Sequence, residues 1–244
     1  MRADLTYSNP KACKSRPFGY LTALLHLQPH MLANGKRSLC AWSTAGCRAA
    51  CLNESGHAGI EDPRVHGALN SCQLARRDRS LSYIRDPQGF AEALGHSLDR
   101  HIAKAARANL LPAARLNATS DVPWEAVAPQ LFKRACTFYD YTKSYDRALA
   151  WARGGLPKNY HLTYSRSEQD NTTQIGAMLS EGLTVACVYH GNAGRQLLEG
   201  WGTYGNGVTD GDQHDLRFLD PPGSLVALRA KGKAKHDTSG FVVR

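Results

Sequence analysis

The sequence predicts an α/β fold: a parallel (β/α) barrel or partial barrel of about six strands, built as a single domain over residues 1–244. Two observations carry that expectation. From residue 111 onward, short β-rich runs alternate with helical segments, and each predicted strand begins apolar and ends in a polar or charged cluster. A β-α-β-α rhythm with short connections implies parallel strands joined by crossover helices. In such a sheet the polar strand ends share the C-terminal edge, the face that carries chemistry in barrel enzymes.

GYLTALLHL, beginning at Gly19, is the first expected strand. The cysteine-containing segment LCAWSTAGCRAACL follows it. Across residues 64–109 apolar and charged residues recur at helical spacing, and Asp86-Pro87 should end one helix and begin the next, because proline disfavours helical geometry in the residue before it. The strand AARLNATSD then precedes a helix over WEAVAPQLFKRAC, TFYDYTKS precedes YDRALAWARGG, and YHLTYSRSE precedes NTTQIGAMLSEG. TVACVYHG and SLVALRAKG complete the strands. Residues 200–223, GWGTYGNGVTDGDQHDLRFLDPPG, are too rich in Gly, Asp and Pro for a regular helix and read as a long loop over one barrel end.

The chain is basic, with 30 Lys and Arg against 21 Asp and Glu and a formal net charge of +9. That balance suits a phosphate-bearing small molecule or nucleic acid, although no helix-turn-helix or zinc-finger pattern focuses it. The polar start MRADLTYSNPKACKSR has no apolar h-region, and no apolar run approaches the roughly 20 residues that span a bilayer, so no membrane partner is expected. Seven cysteines in a chain without a signal sequence favour a reducing, cytoplasmic setting.

Cys40, Cys47 and Cys51 form a C-x6-C-x3-C run. Iron-sulfur clusters are held by thiolates that come mostly from one short segment, and the small residues Ser43, Ala45, Gly46, Ala49 and Ala50 would let the backbone wrap a bulky cluster. Zinc ranks lower, since no second cysteine pair follows. Three unrelated thiols, one or two of them buried as small hydrophobes, are the structural alternative.

At the strand ends stand Arg115, Asn117, Ser120 and Asp121; Asp140, Thr142 and Lys143; Ser165, Arg166 and Glu168; His190 and Asn192; and Arg229 and Lys231. Asp121 and Ser144 are equally candidates for helix N-caps. Asp210, Asp212, His214 and Asp215 offer hard ligands but match no EF-hand, and a turn held by Asp side chains is the simpler reading. Neither a nucleophile elbow nor a phosphate-binding P-loop is present, and the Gly-rich GNAG and GWGTYGNG stretches lack the P-loop lysine.

Taken together, GYLTALLHLQPH leading into the cysteine run, RLNATSDVPWE, FYDYTKS, LTYSRSE and DGDQHDLRFLDPPGSLVALRAKGKA resemble a family of small bacteriophage proteins with iron-sulfur, radical-SAM-type barrels, over nearly the whole chain. The resemblance implies a phage protein acting in the bacterial host cytoplasm, with Cys40, Cys47 and Cys51 ligating a [4Fe-4S] cluster. Radical-SAM enzymes carry C-x3-C-x2-C and a Gly-Gly-Glu-like segment after the second strand. Here the run is longer and that strand end reads NATSDVPWE, which puts S-adenosylmethionine binding in question.

The expected function is therefore an iron-sulfur protein, with radical or Lewis-acid chemistry on a small anionic substrate as its enzymatic form. Asp121, Glu168 and Lys143 would be catalytic, while Arg115, Asn117, Arg166 and Lys231 would bind the substrate. Cys72 and Cys13 are candidates for a fourth thiolate, and Cys136 and Cys187 read as core. A structural cluster in a nucleic-acid-binding protein, and an electron-transfer module, are the alternatives.

Overall fold

The computed structural model describes residues 3–7, 10–51, 53 and 69–244. Two compact units divide the chain: the first comprises Met1–Ala41 and Asn53–Asp140, the second Trp42–Leu52 and Tyr141–Arg244. The architecture is α/β, and within each unit every pairing between named strands is parallel.

In the first unit, a short helix α1 (Pro10–Cys13) precedes strand β1 (Tyr20–Leu24). β1 pairs with β2 (Leu111–Arg115) in register from Tyr20 opposite Leu111 to Leu24 opposite Arg115. β2 pairs in turn with β3 (Thr137–Thr142) through Ala113 opposite Thr137. Two helices belonging to this unit, α3 (Ser71–Arg85) and α4 (Pro87–Arg107), make the crossover from β1 to β2. The break between them falls at the expected Asp86-Pro87. Asp86 ends α3 and its carboxylate accepts the Gly89 N–H at 2.9 Å, so one residue stops the first helix and caps the second.

Helix α4 buries Phe90, Ala91, Leu94, Leu98, His101 and Ala105, a stripe at three- and four-residue spacing. Phe90 lies beside Trp124, with ring centroids 6.4 Å apart, and Tyr83 of α3 meets the same indole at 5.3 Å. The helix expected over residues 124–136 is interrupted. Only α5 (Trp124–Val127) is α-helical, and a 3-10 turn, Pro129–Lys133, replaces the rest. Pro129 has no N–H to donate and its ring would strike the carbonyl four residues back.

The second unit begins with α2 (Ala45–Ala49), whose range precedes α3 in the chain, and continues with α6 (Tyr145–Ala152), β4 (Tyr160–Ser165), α7 (Thr172–Ser180) and β5 (Val185–Tyr189). It is completed by α8 (Gly191–Gly202), β6 (Val208–Asp210), β7 (Leu225–Arg229) and β8 (Val242–Val243). β5 is the centre: it pairs with β4, with β7 from Val185 opposite Leu225 to Tyr189 opposite Arg229, and with β8. β6 lies on the other side of β7. Ile175, Met178, Leu179, Val185, Cys187, Leu198, Leu225 and Ala227 fill the core between these strands and helices α7 and α8.

Two features depart from expectation. Residues 200–223 hold the end of α8, strand β6 and a 3-10 turn (Arg217–Leu219), where a continuous loop is expected. Helix α8 itself occupies the GNAG region, whose glycine serves close packing: a Cβ on Gly194 would meet the Val243 carbonyl oxygen, so only glycine lets β8 pass against the helix. Among the described residues no helix is long and apolar enough to cross a membrane.

Candidate functional site

The cysteine segment is held by a carboxylate from the end of β4. Thr44 caps α2, its side chain accepting the Cys47 N–H at 3.3 Å. The Thr44 hydroxyl donates to Glu168 Oε2 at 2.7 Å, and the Gly46 N–H donates to Glu168 Oε1 at 2.8 Å. Both carboxylate oxygens thus fasten one turn of backbone. A Cβ on Gly46 would stand 2.7 Å from Glu168 Oε2 and strike Ser239 Oγ, so a larger residue there would have to displace the ends of both side chains. Burial by itself would raise the Glu168 pKa. Hydrogen bonds from Thr44, Gly46 and its own backbone outweigh it and leave the group below the ordinary glutamate value.

Cys47 lies within α2 and Cys51 two residues past its end, where the Cys51 N–H donates to the Arg48 carbonyl at 3.3 Å. Cys47 also packs against an apolar cluster of Ala50, Ala230, Ala234, Phe241 and Val242. The start of the segment has its own anchor, since the Arg147 guanidinium lies 5.4 Å from the centre of the Trp42 ring.

Cys40 is fixed within the first unit. It forms an isolated parallel bridge with Asp121, the Asp121 N–H donates to the Leu39 carbonyl at 2.8 Å, and the Cys40 thiol lies 3.9 Å from the Thr119 carbonyl. Asp121 is not the cap of α5, because Pro123 occupies that position. Ser144 does cap α6, accepting the Arg147 N–H. All three candidate ligand thiols are partly exposed. Cys13 and Cys72 are exposed, whereas Cys136 and Cys187 are buried as expected, and burial pushes both thiols up to about 12. Among the described residues no three His, Cys, Asp or Glu side chains are gathered as a metal-holding group. The donor types are those of a thiolate-bound cluster: three thiols come from one short segment, and the turn that carries Cys47 is fixed by Glu168 through Thr44 and Gly46.

The cations of the second unit, Lys143 expected as catalytic and Arg166 and Lys231 expected to bind substrate, are engaged with the chain itself. Lys143 Nζ donates to the Ser165 carbonyl (2.9 Å), the Ser165 hydroxyl (3.2 Å) and the Arg166 carbonyl (2.9 Å), which matches its three N–H groups. Its ammonium also lies 4.8 Å from the centre of the Phe241 ring. Arg166 Nη1 donates to the carbonyls of Gly240 and Phe241, and the guanidinium lies 5.6 Å from the centre of the Trp201 ring. With Leu197, Trp201, Asp237 and Arg244 it lines a cleft of about 380 Å³. Lys231 pairs with Asp212 at 2.6 Å. The other Asp212 oxygen accepts the Arg229 N–H and the Asp212 N–H donates to Asp210, so the DGDQHD stretch is a turn held by Asp side chains.

In the first unit Asn117 is a strut. Its amide donates to the Val122 carbonyl and to Asp140 Oδ2, and its side-chain oxygen accepts the Ser120 hydroxyl and the Val122 N–H. Asp140 Oδ1 accepts the Asn117 N–H at 2.7 Å, and both residues are buried.

Arg115 lies in a cluster that sequence reasoning did not foresee. His26, two residues beyond β1, is buried, and the charges of Arg76 and Arg79 from α3 and of Arg115 at the end of β2 all bear on its imidazole. Arg79 Nε donates to the His26 carbonyl at 3.0 Å. Arg76 Nη1 donates to the carbonyl and the side chain of Asn53, at 3.0 and 2.8 Å. Burial first, and then the three guanidiniums, lower the His26 pKa to about 3, so the ring is neutral at physiological pH. The available signal was the ARRDRS run: Arg76 and Arg79 are three residues apart on α3, and so share a face.

No curated protein and no solved structure matches the chain. The Gene product 88 family (GP88) matches residues 3–244, and this bacteriophage protein therefore belongs to the Gene product 88 family.

Proposed function

We infer that this phage protein is an iron-sulfur protein in which Cys40, Cys47 and Cys51 hold a [4Fe-4S] cluster. The observation that carries the reading is the anchored cysteine turn. Glu168 fixes the backbone at Thr44 and Gly46, which holds the turn that carries Cys47 and leads to Cys51. Three thiolates would leave one iron of such a cluster for a substrate, S-adenosylmethionine or a nearby side chain. This chain's own residues supply defined tasks. Glu168 orients the ligand turn, and Asp121, bridged through its backbone to Cys40, is the carboxylate placed to hold a proton. Arg115 supplies positive charge for an anionic substrate, and Arg166 does so at the cleft it lines.

The test is anaerobic purification with iron and sulfide analysis and an absorption spectrum near about 400 nm. The wild type is expected to be coloured and to contain iron and sulfide, and Cys40→Ala, Cys47→Ala and Cys51→Ala each to lose both. A colourless, zinc-containing wild type overturns the reading. S-adenosylmethionine cleavage under reduction distinguishes a radical catalyst from a structural or electron-transfer cluster.

A further inference from the structure

We propose that the C-terminal end of β1 and β2 in the first unit is a binding site for the phosphate group of a small phosphorylated molecule, gripped by Arg76, Arg79 and Arg115 around His26. It does not depend on a cluster at the cysteines. Arg79 donates to the His26 carbonyl at 3.0 Å, Arg76 lies one turn before it on α3, and Arg115 ends β2 opposite Leu24, two residues before His26, so three partly buried guanidiniums gather at one strand end where solvent screening is weak. The acids that act on Arg79 are Asp4 and Asp78, and the latter is exposed on α3.

The position is the one at which parallel α/β sheets bind ligands, beyond the carboxyl ends of adjacent strands. The cluster's framework is rigid: the Gln28 N–H donates to the Ser80 hydroxyl at 2.7 Å, and that hydroxyl donates to the Arg76 carbonyl at 2.8 Å, locking α3 to the chain that leaves β1. Gln28 is 2% exposed, and its side-chain oxygen is a buried acceptor without a hydrogen-bond partner among the described residues.

Guanidinium forks match phosphate oxygens two at a time, and a neutral imidazole can add a further donor without contributing to the repulsion among the arginines. Partial burial favours a compact phosphate over a polymer. Arg76, Arg79 and Arg115 are partly covered and His26 is 7% exposed, whereas a nucleic-acid backbone would call on exposed cations such as Arg77 on the same helix.

The test is calorimetric titration of the intact chain with inorganic phosphate and with ribose 5-phosphate, alongside a single-stranded oligonucleotide. Arg76→Gln, Arg79→Gln and Arg115→Gln are each expected to weaken phosphate binding about tenfold or more, while Arg77→Gln, with the same change in net charge, leaves it unaltered. Arg79→Lys keeps the charge and loses the fork, and should also weaken binding. Should a glutamine variant fail to fold, the His26 ring resonances of the wild type provide a second readout, expected to shift on addition of phosphate. The proposal is overturned if neither phosphate compound binds the wild type, if Arg77→Gln weakens binding as much as the cluster variants, or if the oligonucleotide binds and the small phosphates do not.

Discussion

The end of β4 in the second unit and the end of β2 in the first carry similar side chains and use them differently. Past β4, Lys143 and Arg166 donate to main-chain carbonyls, and Glu168 accepts from the backbone and cap of the cysteine turn. Beyond β1 and β2, Arg79 and Arg76 also donate to main-chain carbonyls, those of His26 and Asn53, but here three guanidiniums, with Arg115, bear together on one buried imidazole. Charge that stitches backbone to backbone stabilises a shape, because each contact replaces a water that folding removed. Charge gathered against its own repulsion costs stability, and such costs concentrate at binding sites.

Acid titration separates the two regions most strongly. His26 has a folded pKa lowered from 6.5 to about 3, so its contribution is fully present above pH 6.5 and is lost as the pH falls towards 3. By pH 3 the loss amounts to about 4 kcal/mol. His26→Gln should flatten that limb in urea denaturation followed across pH, and an unchanged limb would show that the imidazole is not buried among the arginines.

Asn117→Ala comes next. It leaves the buried Asp140 carboxylate short of a donor, and the expected cost is about 3 kcal/mol, seen as a lower urea midpoint. Replacing Glu168 by Gln tests the stitched region. The loss of charge-assisted hydrogen bonds should cost about 2 kcal/mol, with faster amide exchange at Gly46 and Cys47. Glu168 has a depressed folded pKa, so the wild type loses this contribution as the pH drops below the ordinary glutamate value of 4.5, and the variant does not. The smallest effect belongs to Lys231→Ala, which breaks an ion pair whose lysine is 54% exposed and should change stability by about 0.5 kcal/mol or less in thermal denaturation.

Much of the fold is legible in the sequence because parallel strands and their crossover helices write two different periods into the chain. All six expected strands form, and the Asp86-Pro87 boundary falls where proline geometry demands it. Helix α8 is hidden by glycines such as Gly194, whose role is a close approach by β8 that no local pattern records. β6 is three residues long, too short for an alternating pattern to be read.

At the candidate site, the types of residue at strand ends are readable, but their partners are not. Whether a glutamate past a strand moves a proton or holds a distant turn depends on contacts such as Glu168 with Thr44. The grouping of Arg76, Arg79 and Arg115 likewise joins a helix face to a strand end far along the chain.

The bond between Thr44 and Glu168 spans 124 positions of sequence. At translation rates of about 5–20 residues per second, roughly 6 to 25 s pass between the synthesis of the cysteine segment and that of the carboxylate that fastens it. Through that interval the nascent thiols have no anchored turn, so any loading of the cysteines that depends on the turn can only follow the synthesis of Glu168.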